Sequence, residues 1–111
     1  MSATLSTHVL DTARGVPGAG IEVVLYALDG DRRTEVARAT TNHDGRTDAP
    51  LATDLAAGTY ELTFAAGAYF ARTDTPSFFG SIPVRFVIAG DGKYHVPLLL
   101  SPWSYSTYRG S

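Results

Sequence analysis

The chain has 111 residues, 44% of them apolar and 18% charged, with a formal net charge of -2 and no cysteine. A length of this order suits one domain over residues 1–111 that takes about two-thirds of its unfolded surface out of water. The basic residues are scattered, with Arg32-Arg33 the one adjacent pair, which argues against a nucleic-acid partner, and the missing thiols exclude disulfides, thiolate zinc sites and a cysteine nucleophile.

Residues 1–8 carry neither a basic leader segment nor an apolar one, and no apolar run approaches the roughly eighteen residues of a membrane span. No membrane partner is expected, and the expected location is cytoplasmic, with a periplasmic form that has lost its leader as the alternative. Strand-like segments follow at residues 7–11, 20–28, 35–41, 59–64, 84–88 and 94–100. Between them stand Gly15-Val16-Pro17-Gly18, Asp29-Gly30, Asp44-Gly45, Ala57-Gly58 and Asp91-Gly92, turn chemistry that supplies positive φ. This spacing predicts an all-β sandwich of two sheets. The alanine-rich residues 65–73 predict one short helix, weakened by Gly67. Residues 75–83, with two prolines and a glycine, read as a loop.

Histidine is the side chain whose ordinary pKa of about 6.5 suits proton transfer near neutrality. His8 lies on the strand face opposite Thr7 and Val9, and His95 on the face opposite Val96, Leu98 and Leu100. Each reads either as a hydrogen-bonded structural residue or as a proton-transfer group. His43 reads as a solvated turn tip. Arg46 begins the chain's return from the Asp44-Gly45 corner, where its guanidinium either pairs with a nearby aspartate or steadies a substrate oxyanion. Phe78-Phe79 reads as an apolar plug or subunit contact. No Gly-x-Ser-x-Gly elbow, phosphate loop or His-Glu-x-x-His motif is present, and the histidines lack the close spacing of metal ligands on one element, so no metal is expected. Residues 94–111 end in Tyr105, Tyr108, Arg109, Gly110 and Ser111. Aromatic, phenolic and guanidinium groups in a tail suggest that it is tied down and grips a flat polar ligand.

Three stretches taken together, Leu5-Ser-Thr-His8-Val-Leu-Asp11 with Gly15-Val-Pro-Gly18, Thr41-Asn-His-Asp-Gly-Arg46, and Tyr94-His95-Val-Pro-Leu-Leu-Leu-Ser-Pro102 ending in Tyr108-Arg-Gly-Ser111, closely resemble the 5-hydroxyisourate hydrolases. These are the transthyretin-related enzymes of urate degradation. The terminal Tyr-Arg-Gly-Ser is the discriminating part, because hormone-carrying transthyretins do not keep it. The resemblance implies a transthyretin-like sandwich of two antiparallel sheets, assembled as a homotetramer (a dimer of dimers) with sites in the channel between dimers. It implies hydrolysis of 5-hydroxyisourate at its N1–C6 acyl bond, in purine catabolism, with no cofactor and no metal. His8, Arg46 and His95 match the catalytic set. His8, Arg46, Tyr108, Arg109, Gly110 and Ser111 match the substrate contacts. Which histidine is the base stays open. Trp103-Ser104 and Phe79-Gly80 depart from pairs frequent in the family, with consequences for the channel rim.

Two rival readings keep the sandwich and drop the chemistry: a carrier whose channel binds an aromatic ligand, and an adhesion module. The histidines, Arg46 and the polar tail speak against both.

Overall fold

Strand β1 (Ala3–Asp11) alternates between buried and half-buried positions along its whole length. Ala3, Leu5, Thr7, Val9 and Asp11 face the core, and Thr4, Ser6, His8 and Leu10 occupy the other face, as the two-residue period of a strand requires. The structure is a computed structural model that describes residues 2–111. After β1 come β2 (Val16–Pro17), β3 (Glu22–Asp29), β4 (Arg32–Thr40), β5 (Ala52–Leu55), β6 (Gly58–Phe64), the helix α1 (Ala66–Arg72), β7 (Ile82–Ile88), β8 (Gly92–Leu100) and β9 (Tyr105–Thr107).

One sheet has the order β2-β1-β8-β9, with β5 also pairing β1, and the other has the order β4-β3-β6-β7. The expected two-sheet sandwich with one short helix is therefore present. Its ladders are antiparallel with one exception: β1 and β8 run parallel, from Ala3 opposite Gly92 to Asp11 opposite Leu100. The inner faces meet in a core that includes Leu5, Val9, Leu25, Leu62, Phe64, Ile82, Leu98 and Leu100.

The helix closes one side of this core with Ala66, Tyr69 and Phe70. Gly67, a liability for helix propensity, is where the helix meets the loop before β7. A Cβ there would stand 3.0 Å from the Gly80 Cα, and the Gly67 amide donates to the Gly80 carbonyl at 2.7 Å. Close backbone approach thus outweighs propensity. Ile82 and Pro83, expected in the loop, instead open β7. Pro83 is tolerated because β7 is an edge strand, where a missing N–H breaks no interior ladder. Three short strands, β2, β5 and β9, have no alternation long enough to mark them in the sequence.

Asp11 is fully buried. Its carboxylate accepts a 2.7 Å hydrogen bond from the Tyr69 hydroxyl and a 3.1 Å bond from the Arg14 amide. One residue therefore fastens the helix to β1 and the turn after β1 to itself. Burial, and then the bond to Asp11, raises the Tyr69 phenol above the ordinary tyrosine range, so it stays a donor. Replacing Tyr69 with phenylalanine leaves a buried carboxylate oxygen without this partner. We expect Tyr69→Phe to cost about 1–2 kcal/mol of stability, read as a lower midpoint in urea with an unchanged slope.

Candidate active site

The outer face of the β1–β8 pair carries the polar residues. In the parallel register Ser6 stands opposite His95 and His8 opposite Pro97, which makes His8 and His95 diagonal neighbours on one face. The Ser6 Oγ lies 2.8 Å from the His95 Nδ1. Arg46 joins from the far side of β1 through an antiparallel bridge to His8. The three residues expected to act together are thus brought together, from positions far apart in the chain.

Arg46 is placed by a turn that the sequence specifies locally. The Asn42 side-chain oxygen accepts from the Asp44 amide at 2.9 Å and from the Arg46 amide at 3.2 Å, while the Asn42 amide donates to the Arg46 carbonyl at 2.7 Å. Asparagine offers such local bonds because its short side chain reaches its own following backbone. Gly45 completes the corner with φ of 76°, and a Cβ there would stand 2.3 Å from the Val9 carbonyl oxygen. Only glycine fits so close to β1 in that conformation. Asp48, which lines the same cavity as Arg46, accepts from the Asn42 side chain at 2.9 Å. Among the described residues no ion pair involves the Arg46 guanidinium. His43 lies at the tip, its side chain 90% exposed beside Asp44, as expected of a solvated turn residue.

Burial, then the Arg46 guanidinium, then His8 push the His95 imidazole below the ordinary histidine range, and a hydrogen bond with the Ser6 backbone offsets part of the effect. The charge environment thus matches the geometry, with Arg46 and His8 both close enough to oppose a proton on His95. A cavity of about 210 Å³ lined by Ser6, Thr7, Arg46, Thr47, Asp48, Ala49 and Pro50 opens beside this cluster. A second, of about 240 Å³, lies at the sandwich edge, lined by Val84, Arg85, Phe86, Val87, Tyr94, Val96, Thr107, Tyr108 and Arg109; its wall is mainly apolar, and neither cavity is lined by a histidine. Among the described residues no group of three or more His, Cys, Asp or Glu is arranged to hold a metal ion, and no helix is long and apolar enough to cross a membrane.

The tail is tied down, but its side chains divide. Tyr105, Ser106 and Thr107 pair with Leu100, Leu99 and Leu98, and Gly110 bridges His95, its amide donating to the His95 carbonyl at 2.7 Å. Between these pairings Pro97 has no N–H to give, and its carbonyl accepts instead from the Thr107 hydroxyl at 2.7 Å. The ladder is interrupted there, and Tyr108 stands more than half exposed. Gly110 thus lies against His95, whereas the Arg109 guanidinium sits 4.4 Å from the centre of the Tyr94 ring. Tyr94 faces the core, so this places the guanidinium on the side of β8 opposite His95. Tyr105 stacks edge-on against Phe79, which meets Phe78 in the same way. That aromatic cluster joins the loop before β7 to β9, and Trp103 remains largely exposed at the preceding turn. Sequence reasoning missed Ser6 and Asn42. Ser6 shares the parity of His8, which put it on the correct face, but its partner depends on the parallel register.

A histidine pair beside a guanidinium, on the outer face of a two-sheet sandwich whose last residues return to the second histidine, is an arrangement chemically able to transfer a proton and to stabilise negative charge. The chain belongs to the HIUase/Transthyretin family, whose sequence model matches residues 5–110. It is similar to a protein of Deinococcus radiodurans named 5-hydroxyisourate hydrolase, at 56% identity over 96% of this chain and 95% of that one. Among solved structures, the 5-hydroxyisourate hydrolase of Klebsiella pneumoniae superposes with a TM-score of 0.88 at 42% identity, over 98% of this chain and 99% of that one. A structure of (S)-allantoin synthase gives a TM-score of 0.92 at 42% identity over 99% of this chain, which spans 44% of that longer one.

The direction of the His95 shift has a consequence for the fold. Below a pH of about 6.5 the unfolded chain takes up a proton that the folded ring resists, so the unfolded state binds more protons and stability falls as pH falls. We expect the His95 ring to titrate below that value by NMR, with this part of the stability present at neutral pH and lost as pH drops from about 6.5 toward the folded midpoint.

Proposed function

We propose that this protein is an enzyme that hydrolyses 5-hydroxyisourate, opening its six-membered ring at the N1–C6 bond to give 2-oxo-4-hydroxy-4-carboxy-5-ureidoimidazoline. The observation that carries this reading is the meeting of His8, Arg46 and His95 on one sheet face. The name borne by its curated relatives supports the choice of substrate.

In the proposed reaction a water molecule gives a proton to a histidine while its oxygen bonds to C6. The carbonyl oxygen takes the negative charge and Arg46 steadies it. The N1–C6 bond then breaks, N1 takes the proton held by histidine, and C6 is left as a carboxylic acid that loses its proton to solvent and becomes the new carboxylate. His95 suits the role of acceptor, because a ring with lowered basicity is neutral near pH 7. His8 is the neighbour through which the proton returns to N1. Neither metal nor organic cofactor enters this scheme. Tyr108 and Ser111 are the tail groups proposed to contact substrate, Gly110 lines the site, and Arg109 anchors the tail over Tyr94. The active unit is proposed to be a homotetramer, with the exposed Phe78, Trp103 and Tyr108 among the apolar groups available to subunit contacts.

The test is to generate 5-hydroxyisourate from urate with uricase, add the protein, and follow the ultraviolet absorbance of the intermediate. Accelerated decay that survives chelator is the expected result, and unaccelerated decay rejects the reading. His95→Ala and His8→Ala should lower the rate roughly 10²–10⁴-fold and Arg46→Ala roughly 10²–10³-fold, with thermal midpoints near that of the unaltered protein. Near-native turnover removes that residue from the mechanism. Assembly is checked separately by sedimentation and activity over one dilution series: activity should disappear where the tetramer dissociates, and a fully active monomer rejects the tetrameric site.

A further inference from the structure

The His95 ring is held from both neighbouring strands. On the β1 side the Ser6 Oγ lies 2.8 Å from Nδ1. On the tail side a Cβ placed on Gly110 would stand 2.5 Å from the His95 Cδ2 and 3.2 Å from Cγ. The ring therefore fills the space that any side chain at position 110 would need, while the Gly110 amide fixes the backbone distance with its bond to the His95 carbonyl. Nδ1 and Cδ2 are the two ring atoms next to Cγ. With both directed at the flanking strands, Nε2 is the nitrogen left at the ring's outer end.

We propose that Ser6 is a positioning residue: its hydroxyl oxygen accepts the Nδ1–H of His95 and so fixes the tautomer whose Nε2 presents a lone pair to the site, while Gly110 supplies the room that holds the ring in that orientation. The catalytic part of this proposal rests on the hydrolytic reading above. A neutral imidazole has one donor nitrogen and one acceptor nitrogen, so the partner at Nδ1 decides what Nε2 can do. When Nε2 takes the proton of the attacking water, the ring becomes an imidazolium and the Nδ1–H···Oγ bond becomes charge-assisted. It is then stronger in the transition state than before it, which is the condition for lowering the barrier. The proton leaves again from Nε2 and reaches the departing ring nitrogen by way of His8, and Ser6 exchanges no proton in the cycle. Serine suits this role beside His8 and Arg46, because a hydroxyl accepts without adding the full charge that a carboxylate would bring.

Nitrogen NMR of histidine-labelled protein tests the tautomer directly. The unaltered, unliganded protein should show His95 with Nδ1 protonated and Nε2 bare at neutral pH. In Ser6→Ala that population should move toward the Nε2–H form, and kcat for 5-hydroxyisourate should fall about tenfold, the scale of one lost hydrogen bond to a charged group, with KM changed less than about twofold. Ser6→Thr, which keeps the hydroxyl on a β-branched strand residue, should restore both readings. An Nε2–H tautomer in the unaltered protein overturns the proposal, as does a Ser6→Ala protein with unchanged tautomer and unchanged kcat. If Ser6→Ala does not fold, the spectrum of the unaltered protein decides alone. If the unaltered protein fails to turn over 5-hydroxyisourate, the proposed function is rejected, and the tautomer still decides whether Ser6 orients the ring.

Discussion

The parallel ladder between β1 and β8 is the constraint on which the site depends. A strand near the start of the chain and one near its end lie side by side over nine paired positions, so the outer faces of both become one surface. Parallel pairing requires a long crossover, and here the whole second sheet, the helix and the short strands β2 and β5 lie within that crossover. A register slip of one residue would also turn Ser6 and His8 into the core and Leu5 and Val9 outward, and the burial of those two apolar side chains opposes it. The same apolar alternation that builds the core thereby holds the histidines to the outer face.

Around this ladder, two local devices set what surrounds the histidines. The Asn42 turn delivers Arg46 through hydrogen bonds within a few residues of sequence, and the Asn42 side-chain amide also donates to Asp48. Pro97 acts on the other edge: by withholding an N–H it stops β9 after three residues and lets the chain resume contact only at Gly110. The Asp11–Tyr69 bond works at a different level, linking the last position of β1 to the helix. It secures the end of the strand that carries Ser6 and His8, at the cost of burying a carboxylate, a cost offset by two donors.

Much of the fold was legible because β1 and β8 carry a two-residue apolar period, β3 and β6 contain short runs of buried residues, and glycine marks the corners. Parity also assigned His8 and His95 to the non-core faces of their strands. What parity does not carry is which strands lie together and in which direction, so the contact between Ser6 and His95, 89 residues apart, was invisible even though each lay on the correct face. Gly67 weakened a helix reading that the structure bears out, since propensity weighs a residue against solvent and not against the Gly80 backbone. In the tail, the residue types suggested a site, and the structure distributes them: Gly110 goes to His95, Arg109 to Tyr94 and Tyr105 to Phe79. Pro97 was the available signal, because a proline within a strand marks the point where a ladder must fail.

The exposure of the cluster bears on how its chemistry can be strong. Arg46 and its turn face solvent in the single chain, and a guanidinium in water stabilises a neighbouring oxyanion far less than one in a site from which water is excluded. His95 is already partly withdrawn, which is the first cause of its lowered basicity. Arg46 is not. A second copy laid over this sheet face, as in the proposed tetramer, would remove water from the guanidinium, His8 and the bound substrate together. The outer face would then be a polar floor waiting for a roof, and assembly would serve the reaction by lowering the local dielectric as well as by enclosing the substrate. The constraint also runs in reverse: an unneutralised Arg46 buried by assembly is costly on its own, and the negative charge that develops on the substrate carbonyl relieves that cost only in the transition state, so the closed site would favour the transition state over the bound substrate.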